Sequence, residues 1–567
     1  MTSGRLHQAV LLLTVVVLLE GDRARGTQPA QGTSTPVKVA DTKFALGRGI
    51  YDGPVTETVT SATPDASILY TTDGSAPGPG NGVVVPAAGP GRPARAVVPI
   101  TRSTVLRAMA VKPGMAPTGI DTQTYILIGD VATQDGQGLP PSARWGRAGP
   151  DWAMDRRVID AVGRDTLAGS LRSVPSVALT MEWDDLFGAG GRGIYIVGED
   201  VDKAVVMELL VPAGVAGDDF DAAATVRIAG GTSTQRWRSD KLSMRLKFPR
   251  DLRADVFAAD TAVTRFDTLV LDAGFNNHWH YGGTSASTAQ RSRTQFILDQ
   301  YVADLQRATG GYAPHGRPVF LYLNRLFWGL YILHERPDDD FAAAYLGGRK
   351  DDYDVLRHRQ SFVVAGTADR YAELVAAANR DLRVPEHYRE VADRLDLDDF
   401  IRYILVNFYV GNADWSAQNW YASFNRHSGS ARWRYHSWDA EWVLDSPDRD
   451  VTELQGRDAS GPKFLHSRLR ENDEYRARFA VIARELLEAD GALSPARAAA
   501  LYRTRADEVE GAVIAESARW GDNRRATPYT IDDWRTRRDY LLGEYFPARS
   551  GVLRQQLLED HLYQAPD

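Results

Sequence analysis

Asp414, Asn419, Asp439 and Glu441 bracket one short stretch of the chain and offer three carboxylates and one amide. The runs NWYASFNR (419–426) and RWRYHSW (432–438) have the aromatic character of strands, and HSGSA between them reads as a turn. A hairpin turning about Gly429 sets Asn419 opposite Asp439, and directly facing residues lie about 5 Å apart. Asp414 precedes the first strand and Glu441 follows the second, so all four converge on the open end of the ribbon. Carboxylates gathered in this way repel unless a cation or a proton sits among them. Oxygen donors without His or Cys favour a hard ion, Mg²⁺ or Mn²⁺, over zinc, and such ions commonly accompany phosphates.

The elements needed to position these groups are legible upstream. Leu397, Phe400, Ile401, Ile404, Leu405, Phe408 and Tyr409 recur at helical spacing, and Gly411 stands where a helix stops, so Asn412, Asp414 and Trp415 are delivered into a loop. Strand-like runs occupy 174–179, 193–197, 204–211, 224–228, 242–248, 268–271 and 319–323, with a helix expected over 294–308. Beyond about 464 the apolar spacing turns helical, notably over 475–487 and 495–515, and reads as scaffold. The class expected is α+β.

Asp414 and Asn419 are spaced D-x-x-x-x-N, the interval of a protein-kinase catalytic loop, although Asn412-Ala413 replaces His-Arg before it and Ala440-Glu441 replaces Phe-Gly after Asp439. NADWSAQNWY followed by WRYHSWDAEW resembles the catalytic segment of the CotH family of spore-coat kinases and their bacterial surface relatives. VRIAGGTSTQRWRSDKLSMRLKF (226–248), FDTLVLDAGFNNHWH (266–280) and VFLYLNRLFWGLYILHERPDDDF (319–341) resemble that family's glycine-bearing hairpin, Asn-rich loop and G-x-Y-x-x-x-E segment, in the same order. The resemblance runs from about 185 to 445 and implies an atypical protein-kinase-like core. It implies Asp414 as the catalytic base or hydroxyl-orienting group, Asn419 and Asp439 as Mg²⁺ ligands, and Glu441, where many relatives carry Asp, as a further acidic ligand. Lys241 is the candidate phosphate-contacting lysine, with Arg245 or Lys247 as substitutes; Gly230 and Gly231 would let backbone N–H groups approach a phosphate. Glu335, ending an apolar run, is a candidate nucleotide contact or a structural ion pair with Arg336. His278 and His280, spaced H-x-H around Trp279, read as packing rather than metal ligands, and most of the Trp residues over 415–442 read as core.

The N-terminus reads differently. Residues 1–26 combine Arg5 with the apolar run AVLLLTVVVLL (9–19), the pattern of a signal peptide cleaved near Gly26; an uncleaved anchor is the competing reading. A linker (27–43) precedes an expected small all-β sandwich (44–128), in which Leu69-Tyr70-Thr71-Thr72-Asp73-Gly74-Ser75-Ala76-Pro77 resembles the Ig-like module at the C-terminus of chitobiase-type enzymes. Such a module implies an accessory role, with contact to a cell surface or glycan. A second linker (129–150) leads to the kinase-like domain (151–463) and a C-terminal helical subdomain (464–567).

Composition narrows the classes. With 43% hydrophobic and 25% charged residues the 567-residue chain has the balance of a soluble globular protein. A net charge of −8, with 66 basic against 74 acidic side chains, argues against nucleic acid as a partner. The absence of cysteine excludes disulfides, thiolate nucleophiles and zinc–cysteine sites. The expectation is therefore a secreted, periplasmic or envelope enzyme, using ATP and Mg²⁺ (or Mn²⁺) to phosphorylate Ser or Thr of an exported protein, with no membrane span after signal cleavage. The alternative is a non-catalytic coat or adhesion protein on the same fold. A hydrolase is disfavoured, because carboxylates crowded at one hairpin end are not separated around a substrate bond.

Overall fold

The structure is a computed structural model that describes residues 37–198, 201–258, 260–416, 418–429, 431–452, 459–488 and 490–564. The expected signal peptide and most of the first linker lie outside the described residues. Among the described residues no helix is long and apolar enough to cross a membrane.

The first layer is the expected sandwich. One sheet orders β1 (Thr42–Phe44), β3 (Val55–Ser61) and β6 (Arg95–Ile100); the other orders β2 (Gly49–Tyr51), β8 (Asp121–Leu127), β7 (Thr104–Val111), β4 (Ser67–Thr71) and β5 (Val83–Val85). In β6 exposed and buried residues alternate, so Ala96, Val98 and Ile100 enter a core with Val59, Ile68, Leu106 and Tyr125. The sandwich is tied to the next layer at Glu208, which accepts the Thr124 amide at 3.0 Å and the Thr124 hydroxyl and lies 3.5 Å from Arg48.

The second layer is a closed barrel of β9 (Ser176–Thr180), β10 (Lys203–Leu210), β11 (Phe220–Ala229), β12 (Ser243–Arg253), β13 (Arg265–Asp272), β14 (Gly316–Leu323) and β15 (Leu326–Glu335), ordered β10-β11-β12-β13-β15-β14-β9. All neighbours are antiparallel except β14 and β9. Every residue of β15 is buried, because the long Pro495–Trp520 helix covers its outer face. Gly329 makes that contact possible: its φ is +107°, and a side chain there would stand 2.9 Å from the Trp520 ring.

The third layer is a four-stranded sheet, β17-β16-β18-β19, of β16 (Tyr353–Arg357), β17 (Arg359–Ala365), β18 (Trp420–Asn425) and β19 (Arg434–Ser437). The expected hairpin is its β18–β19 half. Behind it lies the Leu397–Tyr409 helix, capped by Asp396, which accepts the Asp399 amide at 3.3 Å, and followed by Gly411 at φ +61°. The Leu298–Ala308 helix fixes β19 directly: Gln306 donates to the Tyr435 carbonyl at 2.6 Å and accepts the Ser437 amide at 2.7 Å.

Two local expectations are corrected. Residues 193–197 form a helical turn, Ile194–Val197, bracketed by Gly193 and Gly198; a short apolar run does not distinguish turn from strand. The helix expected from 294 begins at Leu298, because Phe296 adopts a φ of +67°. The C-terminal helices pack on the domain core, sharing one apolar cluster with the 298–308 and 397–409 helices.

Candidate functional site: an acidic cleft at the hairpin end

The hairpin register differs by one residue from the expected one. Trp420 pairs with Ser437, so Asn419 extends toward Trp438 and not Asp439. A one-residue slip normally sends side chains to opposite faces. Here both residues lie just past the strand ends with positive φ, 62° at Asn419 and 57° at Asp439, and these turns bring them back together. The Asn419 side-chain NH₂ donates to the Asp439 carbonyl at 3.2 Å and to the Asp414 carboxylate at 3.3 Å. His358, following β16, accepts the Asn419 amide at 2.8 Å and holds the turn. Both side-chain hydrogen bonds of Asn419 use its NH₂ group, which leaves the amide oxygen outside them.

Asp414 is set by the loop after Gly411. Its amide donates to Asn412 at 3.1 Å, and Asn412 in turn donates to Asn407 at 2.9 Å. Gln418 donates to both Asp414 carboxylate oxygens at 2.9 and 2.8 Å. Burial pushes the Asp414 carboxyl up and the Gln418 bonds partly offset it, the tendency wanted in a proton acceptor.

Glu441 accepts from the Phe275 amide and from the Asn276 amide at 2.8 Å, so the Asn-rich loop after β13 is the clamp for this carboxylate. Sequence reading missed two more acids. Asp272, the last residue of β13, accepts the Ser243 hydroxyl at 2.8 Å; Asp299, in the first turn of the 298–308 helix, accepts the Ala440 amide at 2.7 Å. The signal available was modest: Asp272 precedes a glycine in the family-like FDTLVLDAG segment, and Asp299 is an acid in a helix first turn.

The acids raise one another. Burial and then the charge of Asp272 push Glu441 up to about 8; burial and Asp272 push Asp299 up to about 6, against the lowering effect of His334. Asp439 is pushed well above the carboxylate range by the protein around it and by Glu441, Asp299, Asp272 and Asp414. Solvent reaches Asp439 from the cleft, so the like charges carry more of its shift than desolvation does. Among the described residues no Lys or Arg pairs with any of these five acids, a charge excess that fits a divalent cation.

These groups line one cleft of about 830 Å³ between the barrel and the four-stranded sheet. The opposite wall is basic: Arg245 and Arg336 face the cleft with Arg227, whose guanidinium also pairs with Asp202. Arg245 forms no ion pair among the described residues, and burial together with Arg336 and Arg227 lowers its pKa. Gly230 and Gly231 form the barrel-side rim where β11 ends. Gly230 has φ +139°, so the chain can turn there with its backbone facing the cleft. Trp438 and Trp442 line the cleft, whereas Trp415, Trp420 and Trp433 are core.

Two expected contacts are not brought to the cleft. Lys241 is 1% exposed and its ammonium donates to Glu516 of the C-terminal Pro495–Trp520 helix at 2.8 Å and to the Leu330 carbonyl. Arg245, two turns of the pleat further along, faces the cleft in its place. Glu335 is buried against His315, at 2.9 Å, and the Tyr345 hydroxyl, at 2.8 Å, rather than Arg336 or the cleft. His278 and His280 are packed in the barrel interior as expected, His280 bonded to Ser239 at 2.8 Å.

Asp414, Asn419 and the hairpin-borne Asp439 thus share one cleft with the glycine rim and arginines of the barrel, in an α+β fold. The family comparison agrees: the CotH kinase protein model matches residues 231–544, more than half of the chain, and the protein belongs to this family. The match extends through the Pro495–Trp520 and Ile531–Tyr540 helices. Residues 46–122 match the Chitobiase/beta-hexosaminidase C-terminal domain, in agreement with the sandwich. No curated protein matches the chain.

Proposed function

We propose that the protein is an exported phosphotransferase that uses a divalent cation to pass the γ-phosphoryl group of ATP to a Ser or Thr hydroxyl of a secreted or surface protein. The observation that carries the reading is one cleft with unneutralised acids on one wall and arginines on the other, the charge pattern that a metal–triphosphate complex complements. Asn419, Asp439 and Glu441 would hold Mg²⁺ or Mn²⁺, which supplies charge neutralisation on the phosphate oxygens when bound. Arg245 and Arg336 bind and orient the phosphates, and the Gly230–Gly231 backbone closes over them. Asp414, aimed by Gln418 and Asn419, receives the proton of the attacking hydroxyl and holds that oxygen in line. The apolar run 9–19 supports export, and the sandwich would serve as an accessory contact to the envelope or its glycans.

Thermal unfolding with Mg²⁺ and ATP tests the nucleotide step, and γ-labelled ATP tests transfer. Stabilisation that disappears in Asp439→Ala, with label appearing on the protein itself or on a co-exported Ser-rich protein, is the expected result. Absence of nucleotide stabilisation in the wild type would defeat the proposal and favour a binding protein on the same fold.

A further inference from the structure

Behind the hairpin end, on the barrel side of the cleft, a ring nitrogen of His334 and carboxylate oxygens of Asp272 and Asp299 all lie within 4.8 Å of one another. Three elements supply them: Asp272 ends β13, Asp299 opens the Leu298–Ala308 helix, and His334 is the penultimate residue of β15. β13 and β15 are paired here, with Asp272 opposite Ile332 and Val270 opposite His334, so two of the three sit two rungs apart on one ladder, where the two-residue period sets them on the same face.

Each donor is oriented from behind. Asp272 accepts the Ser243 hydroxyl at 2.8 Å and the Gly274 amide at 3.1 Å on one oxygen, Oδ1. Asp299 accepts the Ala440 amide on Oδ1 as well. In both cases Oδ2 has no hydrogen bond among the described residues. His334 is 4% exposed, and its Nδ1 lies 2.6 Å from the Glu335 carbonyl. A carbonyl can only accept, so Nδ1 carries a proton, and in the neutral ring Nε2 is then the nitrogen with the lone pair; no hydrogen bond reaches Nε2 among the described residues. A buried imidazole whose rear nitrogen is tied to a carbonyl and whose front nitrogen is unpartnered is the arrangement that orients a metal-binding histidine. Three donors each about 2.1 Å from one ion lie about 3.0–3.6 Å apart, so closure on an ion draws atoms now within 4.8 Å of one another together by up to about 1–2 Å, a movement within the reach of side-chain rotation.

We propose that Asp272, Asp299 and His334 form a second divalent-metal site, distinct from the Asn419–Asp439 ligands, that takes a transition ion of the Mn²⁺ type by virtue of its nitrogen donor. Two carboxylates with one imidazole suit Mn²⁺ or Zn²⁺ better than Mg²⁺, which prefers oxygen and retains water. The Ala440–Asp299 hydrogen bond joins the two ligand sets, because Ala440 lies between Asp439 and Glu441. This places the ion at the floor of the cleft, and it rests on the phosphotransferase reading only in sharing that cleft.

The test uses the full chain without nucleotide, titrated with Mn²⁺ alone and read by electron paramagnetic resonance and electron spin echo modulation. Bound Mn²⁺ carrying the remote-nitrogen modulation of an imidazole is expected in the wild type and also in Asp439→Asn. His334→Gln is expected to lose the nitrogen modulation and to weaken binding by about tenfold or more. Asp272→Asn, nearly isosteric, should weaken binding similarly and serves as the second probe if His334→Gln does not fold. Bound Mn²⁺ without nitrogen modulation, modulation that survives His334→Gln, or unchanged affinity in Asp272→Asn overturns the proposal. Nitrogen-coupled Mn²⁺ in a protein that Mg²⁺ and ATP fail to stabilise would uphold this site while defeating the phosphotransferase reading; nucleotide stabilisation without nitrogen-coupled Mn²⁺ would do the reverse.

Discussion

The contact between the barrel and the Pro495–Trp520 helix and the cleft both gather charged side chains, and they resolve the cost in opposite ways. At the barrel–helix contact, Lys241 and Glu516 form one buried pair at 2.8 Å, with further hydrogen bonds to the Leu330 carbonyl and from the Leu330 amide, 2.6 Å from Glu516. That cluster is internally complete. In the cleft, Asp272, Asp299, Asp414, Asp439 and Glu441 are oriented by amides and hydroxyls but meet no paired cation among the described residues. Orientation without neutralisation separates the cleft acids from an ion pair that stabilises a fold, and the buried pair with Glu516 removes Lys241 from the phosphate contacts that its residue type suggests.

The contrast is broken most directly by removing one charge from each region. Asp414→Asn should lower phosphate incorporation by roughly 10²–10⁴-fold, the range for loss of a positioned general base. Asp439→Asn should abolish metal-dependent nucleotide stabilisation while raising the melting temperature of the metal-free protein, because one repelling carboxylate is gone. A fall in metal-free stability would show that the acids are compensated after all. Lys241→Met should act in the opposite sense, leaving Glu516 buried and unpaired and lowering unfolding free energy by about 3–5 kcal/mol. Urea denaturation measures it, and a loss below about 1 kcal/mol would mean that the Lys241–Glu516 pair contributes little to the fold.

What could be read in advance followed the range of the interaction. The Leu397–Tyr409 helix and the β18–β19 hairpin were visible because periodicity and turn chemistry are local. Convergence of Asp414, Asn419 and Asp439 was legible for the same reason, although the register was not: the positive φ at Asn419 and Asp439 that restores it depends on His358, far off in the chain. Lys241 was misjudged because its partner, Glu516, lies on a helix that reads as scaffold and reaches the barrel only in three dimensions. Glu335 shows the same pattern, since His315 and Tyr345, not the neighbouring Arg336, bind it. Asp272, Asp299 and His334 carry only a weak local signal, because strand pairing and helix docking assemble them from three separate segments.

On the basic wall the expected effect is smaller. Arg245→Ala should raise the KM for ATP by roughly ten- to a hundredfold with kcat less affected, the worth of a charge-assisted phosphate contact at about 1.5–3 kcal/mol. Lys247→Ala, an exposed position on the same strand, should leave KM unchanged. Equal effects from both would mean that the wall acts through general charge rather than a directed contact.

The smallest effect tests whether the cleft acids really share protons when no metal is present. Glu441 is raised from 4.5 to about 8 and Asp299 from 3.8 to about 6, so between about pH 4 and 8 the folded protein holds protons that the unfolded chain has released. Stability therefore falls as pH rises through that window, and the contribution is lost once the folded groups ionise. Glu441→Gln cannot ionise and should flatten the fall above pH 5, a change in melting temperature on the order of 2 °C. Added Mn²⁺ should flatten the wild-type profile as well, with its stabilisation growing toward pH 8 because the ion must displace the protons it replaces. An identical slope in wild type and Glu441→Gln would mean that Glu441 is already ionised and neutralised at neutral pH, making the cleft electrostatically equivalent to the Lys241–Glu516 pair.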